Sequence, residues 1–376
     1  MKALCDREQL LNAFGMVGGV VPARSPKPIL QNLKLVADGD GGSTLMATDL
    51  EVGIRYRVLG IKVDQPGAAI LPAARMGQIL RISTDEELAL EADGDNLLVR
   101  GLYDEFRLPG EDPDLFPEVP DFAASAYHAV ASADLRRLIR RTIFATEPES
   151  TRYALGGVLV ELGPETITMV GTDGRRLARA VAPAEAEGGA GAPGGSPVVP
   201  VKALKLIERN LGDEDPPVHI AFQGPAGAPS AVLLRTERAV IYSRLVEGRF
   251  PRYQDVFPTT VEVRVPMEAG PLRVAVEKAS IVTSDESRGV DFTFGEGSLK
   301  LASKAADVGS ARVEMPIRYD GKPIEITFDA RYLSDALRTL DDAAPITAEL
   351  IDQKNAAVFK TDDNYTYVVM PLTRDR

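Results

Sequence analysis

Arg136, Arg137, Arg140 and Arg141 fall within six consecutive residues. On a helix the pairs 136/140 and 137/141 stack one turn apart and merge into one basic face. Leu135, Leu138, Ile139 and Thr142 form the opposite stripe, which is expected to pack on a sheet. A second helix carries Lys202, Lys205 and Arg209 at i, i+3 and i+7, with Ala203, Leu206 and Ile207 behind them. Weaker versions occur earlier, at Arg75 and Arg81, and later, at Arg273, Lys278, Arg331 and Arg338. The rest of the chain is acidic: 43 Lys+Arg against 55 Asp+Glu give a net charge of −12. One such helix alone is more often just a solvated face. The same bias in corresponding helices instead gathers positive potential on one side of a repeating array. That suits a phosphate backbone, which is bound by charge without reading base sequence.

Other chemistry lacks raw material. There is no phosphate-cradling Gly-x-x-x-x-Gly-Lys-Ser/Thr loop, no Gly-x-Ser-x-Gly elbow and no His-Glu-x-x-His pair. Only His128 and His219 could serve histidine-based catalysis, and both read as structural. Asp38, Asp40 and Asp49 superficially suggest a calcium loop, but Ser43 stands where such a loop needs Gly. The acid pairs Asp285/Glu286 and Asp362/Asp363 fall in turns and position no general acid. The single cysteine, Cys5, can form no internal disulfide, so the chain is expected in a reducing, cytoplasmic setting. No catalytic residue, metal or cofactor is expected. No run approaches the length of a membrane span, and no membrane partner is expected.

The elements that must position these residues repeat. A length of 376 residues suits two to four domains, and the chain reads as three copies of one unit. Each copy runs helix, hairpin, strand, helix, hairpin. Thr48-Asp49 recurs as Thr172-Asp173, and Pro72 before a second helix recurs as Pro200. Alternation such as Val158, Val160, Leu162 marks half-buried antiparallel strands. The fold class is therefore α+β, two helices on antiparallel sheet three times over. Boundaries fall in GEDPDLFPEVPDF and FPRYQDVFPTT, giving domains 1–125, 126–258 and 259–376. The Gly/Ala/Pro run from Pro183 to Pro197 reads as a flexible loop inside the second copy.

Several segments are familiar. ATDLE (Ala47 to Glu51), GTDGRRLA (Gly171 to Ala178), LVEGRFPRYQDVFP (Leu245 to Pro258), PILQNL (Pro28 to Leu33) and YVVMPL (Tyr367 to Leu372) are spread along the whole chain. Together they resemble the bacterial DNA polymerase III beta subunits, the sliding clamps. The resemblance implies a head-to-tail homodimer, a six-domain ring with helices lining the bore, encircling double-stranded DNA without sequence preference. It implies a non-catalytic processivity factor on the bacterial nucleoid. Expected DNA-facing residues are Arg24, Arg75, Arg136, Arg137, Arg140, Arg141, Lys202 and Lys205.

The resemblance also implies a groove for short linear peptides of the replicative polymerase, clamp loader and repair polymerases. Motif by motif it falls on Leu155, Thr172, Gly174, Arg175, Arg176, Leu177, Pro251, Val256, Val368, Met370, Pro371 and Leu372. Arg175 stands where the family often has His, Asp255 where a basic residue is known, and Thr373 where Arg is common. The dimer seam is expected at Phe106 and Leu108 of one chain against Ile281 and Val282 of the other. The competing reading is a repeat-built peptide-binding scaffold that does not encircle DNA.

Overall fold

The computed structural model describes residues 1–39, 42–94, 96–149, 154–225 and 227–372. Asp40 and Thr373, noted above, lie outside these residues. Six α-helices occur among the described residues, two in each sequence copy: α1 (Arg7–Val17), α2 (Ala73–Ile82), α3 (Ser132–Thr142), α4 (Val201–Arg209), α5 (Ala269–Ser280) and α6 (Ala330–Leu337). Asp6 caps α1 by accepting the Gln9 N–H at 2.9 Å. Pro72 and Pro200 occupy the N-cap positions of α2 and α4. Buried residues follow helical spacing, as with Leu10, Ala13, Phe14 and Val17 in α1 or Leu333, Ala336 and Leu337 in α6.

The chain divides into two compact units, Met1–Leu135 with Ala184–Leu245, and Arg136–Pro183 with Val246–Arg376. These cut through the middle sequence copy, and in each unit strands from two copies pair in one antiparallel sheet.

In the first unit, a five-stranded sheet runs in the order Ile61–Gln65, Lys2–Asp6, Glu87–Asp93, Asn96–Arg100, Glu105–Pro109. Its nine-stranded partner runs Glu185–Glu187, Tyr127–Val130, Val218–Gln223, Ala231–Arg235, Ala239–Arg244, Val52–Arg57, Thr44–Thr48, Asn32–Ala37, Gly67–Pro72. The join between copies is the antiparallel pair Ala239–Arg244 with Val52–Arg57, where Ile241 faces Ile54. Only the start of the stretch expected as a flexible loop departs from that reading: Glu185–Glu187 is a strand paired with Tyr127–Val130, while 188–197 holds no helix or strand. Gly188 follows it at φ +62, and a Cβ there would meet the Ser125 carbonyl oxygen at 2.0 Å, so the turn has no room for a side chain.

In the second unit, strands Gly157–Leu162, Thr166–Thr172, Arg176–Pro183, Tyr365–Val369, Ala357–Thr361, Pro345–Leu350 and Val263–Glu268 follow one another. Here the join is Arg176–Pro183 with Tyr365–Val369, and Ala178 faces Tyr367. A four-stranded sheet runs Gly309–Pro316, Ser298–Ala305, Gly289–Gly295, Ile324–Asp329. Phe292, Phe294 and Phe328 are fully buried, and Phe292 meets Phe328 edge-on at 5.3 Å.

Glu349 lies on the long sheet of this unit. Burial works against its charge, but Lys360 at 2.6 Å and Arg264 at 3.2 Å hold the carboxyl below the usual carboxylate range. A depressed folded value stabilises above the unfolded value and is lost as pH falls through the folded one. Glu349→Gln is therefore expected to cost about 1 kcal/mol at neutral pH. That gap should close on acidification below pH of about 4, which urea titrations of both proteins would check.

Candidate functional site

The GTDGRRLA segment is the turn between strands Thr166–Thr172 and Arg176–Pro183. Asp173 Oδ1 accepts the Arg175 and Arg176 N–H groups at 2.9 and 3.0 Å, and Thr172 Oγ1 donates to the Arg176 carbonyl at 2.6 Å. Gly174 supplies the left-handed residue, φ +86, that this turn needs. The turn aims two arginines differently. Arg175 is exposed. Arg176 folds inward, its side chain 10% exposed, and donates to Asp173 Oδ2 at 2.9 Å, Asp335 Oδ2 at 2.7 Å and the Phe144 carbonyl at 2.8 Å. Its guanidinium also lies over the Tyr332 and Phe144 rings, at 4.6 and 5.3 Å. Burial opposes its charge, but Asp335 and Asp173 raise the group above its ordinary value.

Beside this arginine opens a cavity of about 330 Å³, lined by Leu155, Thr172, Gly174, Arg175, Arg176, Leu177, Pro251, Tyr253, Val256, Val368 and Met370. Leu177 faces Val368 across the join, and the Met370 N–H donates to the Arg175 carbonyl at 2.9 Å, extending the ladder past the last strand. Met370 and Val256 remain 43% and 41% exposed at the mouth. Ten of the twelve residues expected for a peptide groove thus share one cavity. Pro371 and Leu372 are outside its lining, and the Leu372 N–H instead donates to the Thr327 carbonyl at 2.8 Å. Tyr253 was missed by the sequence reading. Its hydroxyl donates to Glu161 Oε2 at 2.7 Å, and burial followed by that bond pushes it up to about 12.

The first join differs at the corresponding positions. By the shared Thr-Asp landmark, Gly174, Arg175 and Leu177 correspond to Leu50, Glu51 and Gly53. There Val119 sits against Gly53, with Cγ1 only 2.9 Å from where a Cβ would be, and Glu51 pairs with Arg244 at 3.6 Å. At the second join a glycine replaces the leucine, and Met370 replaces the charged Arg244.

The basic face expected on α3 is partly corrected. Leu135, Leu138, Ile139 and Thr142 are buried as the stripe requires, Arg136 and Arg137 are half-buried and Arg140 is exposed. Arg141 is only 6% exposed, paired with Asp363 at 2.7 Å and 5.2 Å from the centre of the Tyr365 ring. It turns toward the sheet because a carboxylate and an aromatic face await it there, so it does not belong to the basic face. On α4, Lys205 is exposed, whereas Lys202 Nζ is engaged by Asp49 Oδ2 and the Val20 carbonyl. Arg24 and Arg75 are exposed. His219 stacks on Tyr127 at 4.3 Å with Nδ1 2.6 Å from Arg235, and burial and that arginine lower it below its ordinary value.

Phe106 and Leu108 lie on Glu105–Pro109, the end strand of the five-stranded sheet. Phe106 is 36% exposed, accompanied by Leu102 at 73%, Tyr103 at 94% and Ile82 at 80%, none of which periodicity had singled out. In the other unit Ile281 is 74% exposed and Val308 49%, and Val308 adjoins the end strand Gly309–Pro316.

Three models of the DNA polymerase III beta subunit match consecutively: its N-terminal domain over residues 1–120, its central domain over 129–252 and its C-terminal domain over 254–373. A beta sliding clamp of Pseudomonas putida is 31% identical, the match covering 98% of each chain. The chain belongs to the bacterial DNA polymerase III beta subunit family. The crystal structure of the DNA polymerase III subunit beta from Pseudomonas aeruginosa superposes with a TM-score of 0.89 at 29% identity over the whole of both chains. A structure of the clamp from that organism bound to griselimycin matches equally, at 0.89 and 29% over both chains. The function of this beta-subunit chain is accordingly that of a DNA sliding clamp, a non-catalytic processivity subunit of a DNA polymerase.

Proposed function

We propose that two copies of the chain close head to tail around duplex DNA, and that the cavity at the second join is the groove by which partner proteins are held to it. The observation that carries the groove is the apolar cavity itself, set beside a turn whose Arg176 is fixed by three hydrogen bonds. Such a groove takes one or two Leu/Phe-type anchors of a short peptide, and the exposed Arg175 and backbone groups at the rim orient it. Peptides from a replicative polymerase, a clamp loader and repair polymerases are the expected ligands. Titrating a labelled Leu/Phe-anchored peptide, with its anchors changed to Ala as control, tests this. Equal affinity for both peptides would reject the groove.

For DNA, the reading rests on Arg24, Arg75, Arg136, Arg137, Arg140 and Lys205, six cations on a chain of net charge −12. A threaded duplex needs only weak, screened contacts to stay in place while sliding. Its site of action would be the cytoplasmic nucleoid. No helix among the described residues is long and apolar enough to cross a membrane. Protein loaded on a nicked circle should leave when the circle is linearised; retention on the linear form would favour the scaffold reading. Changing Arg136, Arg137 and Arg140 together to Ser should shorten retention on circles and lower the salt slope by about 0.9 for each phosphate no longer neutralised. Arg141→Ser should destabilise the fold without that change in slope, which separates the buried arginine from the basic face.

A further inference from the structure

At the first join an extended segment of the chain lies where the second join has its cavity. The pairing registers align the two. Tyr242 faces Gly53 and Val240 faces Arg55 at the first, whereas Val368 faces Leu177 and Thr366 faces Arg179 at the second. The connection after the first copy crosses the sheet here. Val119 lies against Gly53, and Phe122 packs on Ala221 and Leu233 with Tyr242 beside it. These two anchors cover the counterparts of Leu177 and Val368, which line the cavity. Between the anchors one cation grips the segment. Arg55 Nη1 donates to the Val119 carbonyl at 3.2 Å, and Nη2 lies 3.5 Å from Asp121 Oδ2.

The connection after the second copy brings no such carboxylate to the corresponding cation. Followed strand by strand, the ladders put Pro266 where the first unit has Ala129. Tyr253 precedes Pro266 by as many residues as Phe116 precedes Ala129, so Val256 stands for Val119, Pro258 for Asp121 and Thr259 for Phe122. Val119 and Phe122 are buried, whereas Val256 and Thr259 are exposed. Arg179 is half-buried, two residues along the strand from Leu177 and so on the same sheet face. It bonds the Tyr253 hydroxyl, which in turn donates to Glu161. That uses only part of a guanidinium with five donors.

We infer that Arg179 is a specificity residue of the groove, binding a carboxylate that the docked peptide carries within two residues of an apolar anchor, as Arg55 binds Asp121. This rests on the groove reading above and adds the charge that the peptide must present. Residues two apart on a strand are about 7 Å apart along it, so a peptide anchored on Leu177 brings its neighbouring side chains over Arg179. The first connection, with Asp121 set between Val119 and Phe122, is an internal copy of that arrangement.

The full-length chain is titrated with labelled Leu/Phe-anchored peptides in which a single Asp, or Asn as control, is moved one position at a time between and beside the anchors. At one position Asp should bind about fivefold more tightly than Asn, the gain of a half-buried, charge-assisted hydrogen bond. Arg179→Gln should abolish that preference and leave the Asn peptide unchanged. Arg179→Lys, which keeps the charge, should retain part of it. No preference at any position, or one that persists in Arg179→Gln, would overturn the role of Arg179 while the groove stands, provided the anchored peptide still outbinds its Ala-anchor control. Equal binding of those two peptides would instead reject the groove, and the inference with it.

Discussion

A chain ending at Val369 is expected to bind a Leu/Phe-anchored peptide at least about a hundredfold more weakly, a loss typical of removing one wall of a hot-spot pocket. Met370 lines the groove, and its N–H ties the Arg175 carbonyl, so truncation removes an apolar wall and releases the turn that carries Gly174. On the head-to-tail reading the dimer should be unaffected, because the end strands Glu105–Pro109 and Gly309–Pro316 belong to other sheets than Tyr365–Val369. A filling variant gives independent evidence. Gly174→Leu reproduces Leu50 of the first copy, which already tolerates φ 78 with its side chain 41% exposed. The substitution should therefore fold and occlude the groove, again with a large loss of peptide affinity. Fluorescence anisotropy reads both variants; full affinity in either would show that the peptide binds elsewhere.

Arg176→Ala is expected to be the most damaging single substitution at this site, lowering unfolding free energy by about 3 kcal/mol. Its side chain is 10% exposed and so is that of Asp173, which would be left charged, buried and short of its strongest partner. The Phe144 carbonyl would lose its donor, and the Tyr332 ring its cation. Arg176→Lys should recover little, because one ammonium cannot span two carboxylates and a carbonyl in a fixed fork. Denaturant midpoints give the stability directly. Peptide affinity measured on the folded fraction then shows whether the arginine also shapes the groove.

The repeat of elements was legible because each copy must bury one stripe per helix and alternate residues per strand, and Thr-Asp turns keep the copies in phase. The residues that share the cavity were legible as one set only through the resemblance. Nothing in the periodicity of Leu155, Leu177 or Val368 distinguishes a groove wall from core, and Tyr253 looked like any residue of a Pro-rich connection. Arg141 was misplaced for a physical reason: at helical spacing it shares a face with Arg137, but Asp363 lies more than two hundred residues away and draws it inward. The same applies to Lys202, whose partner Asp49 sits in another copy. Local pattern reports which residues share a face; it cannot report which distant carboxylate answers a cation.

Glu105–Pro109 and Gly309–Pro316 have a further consequence for mixed populations. On the head-to-tail reading proposed above, with these end strands as the seam, a chain with one of them disabled would still engage a normal chain on one side and leave the opposite side ajar. Co-expressed with normal protein, such a half-competent chain would poison assembly in proportion to its abundance, whereas one disabled at both strands would be inert. The severity of a seam mutation in a cell thus depends on how many of the two strands it spoils, and spoiling fewer does more harm.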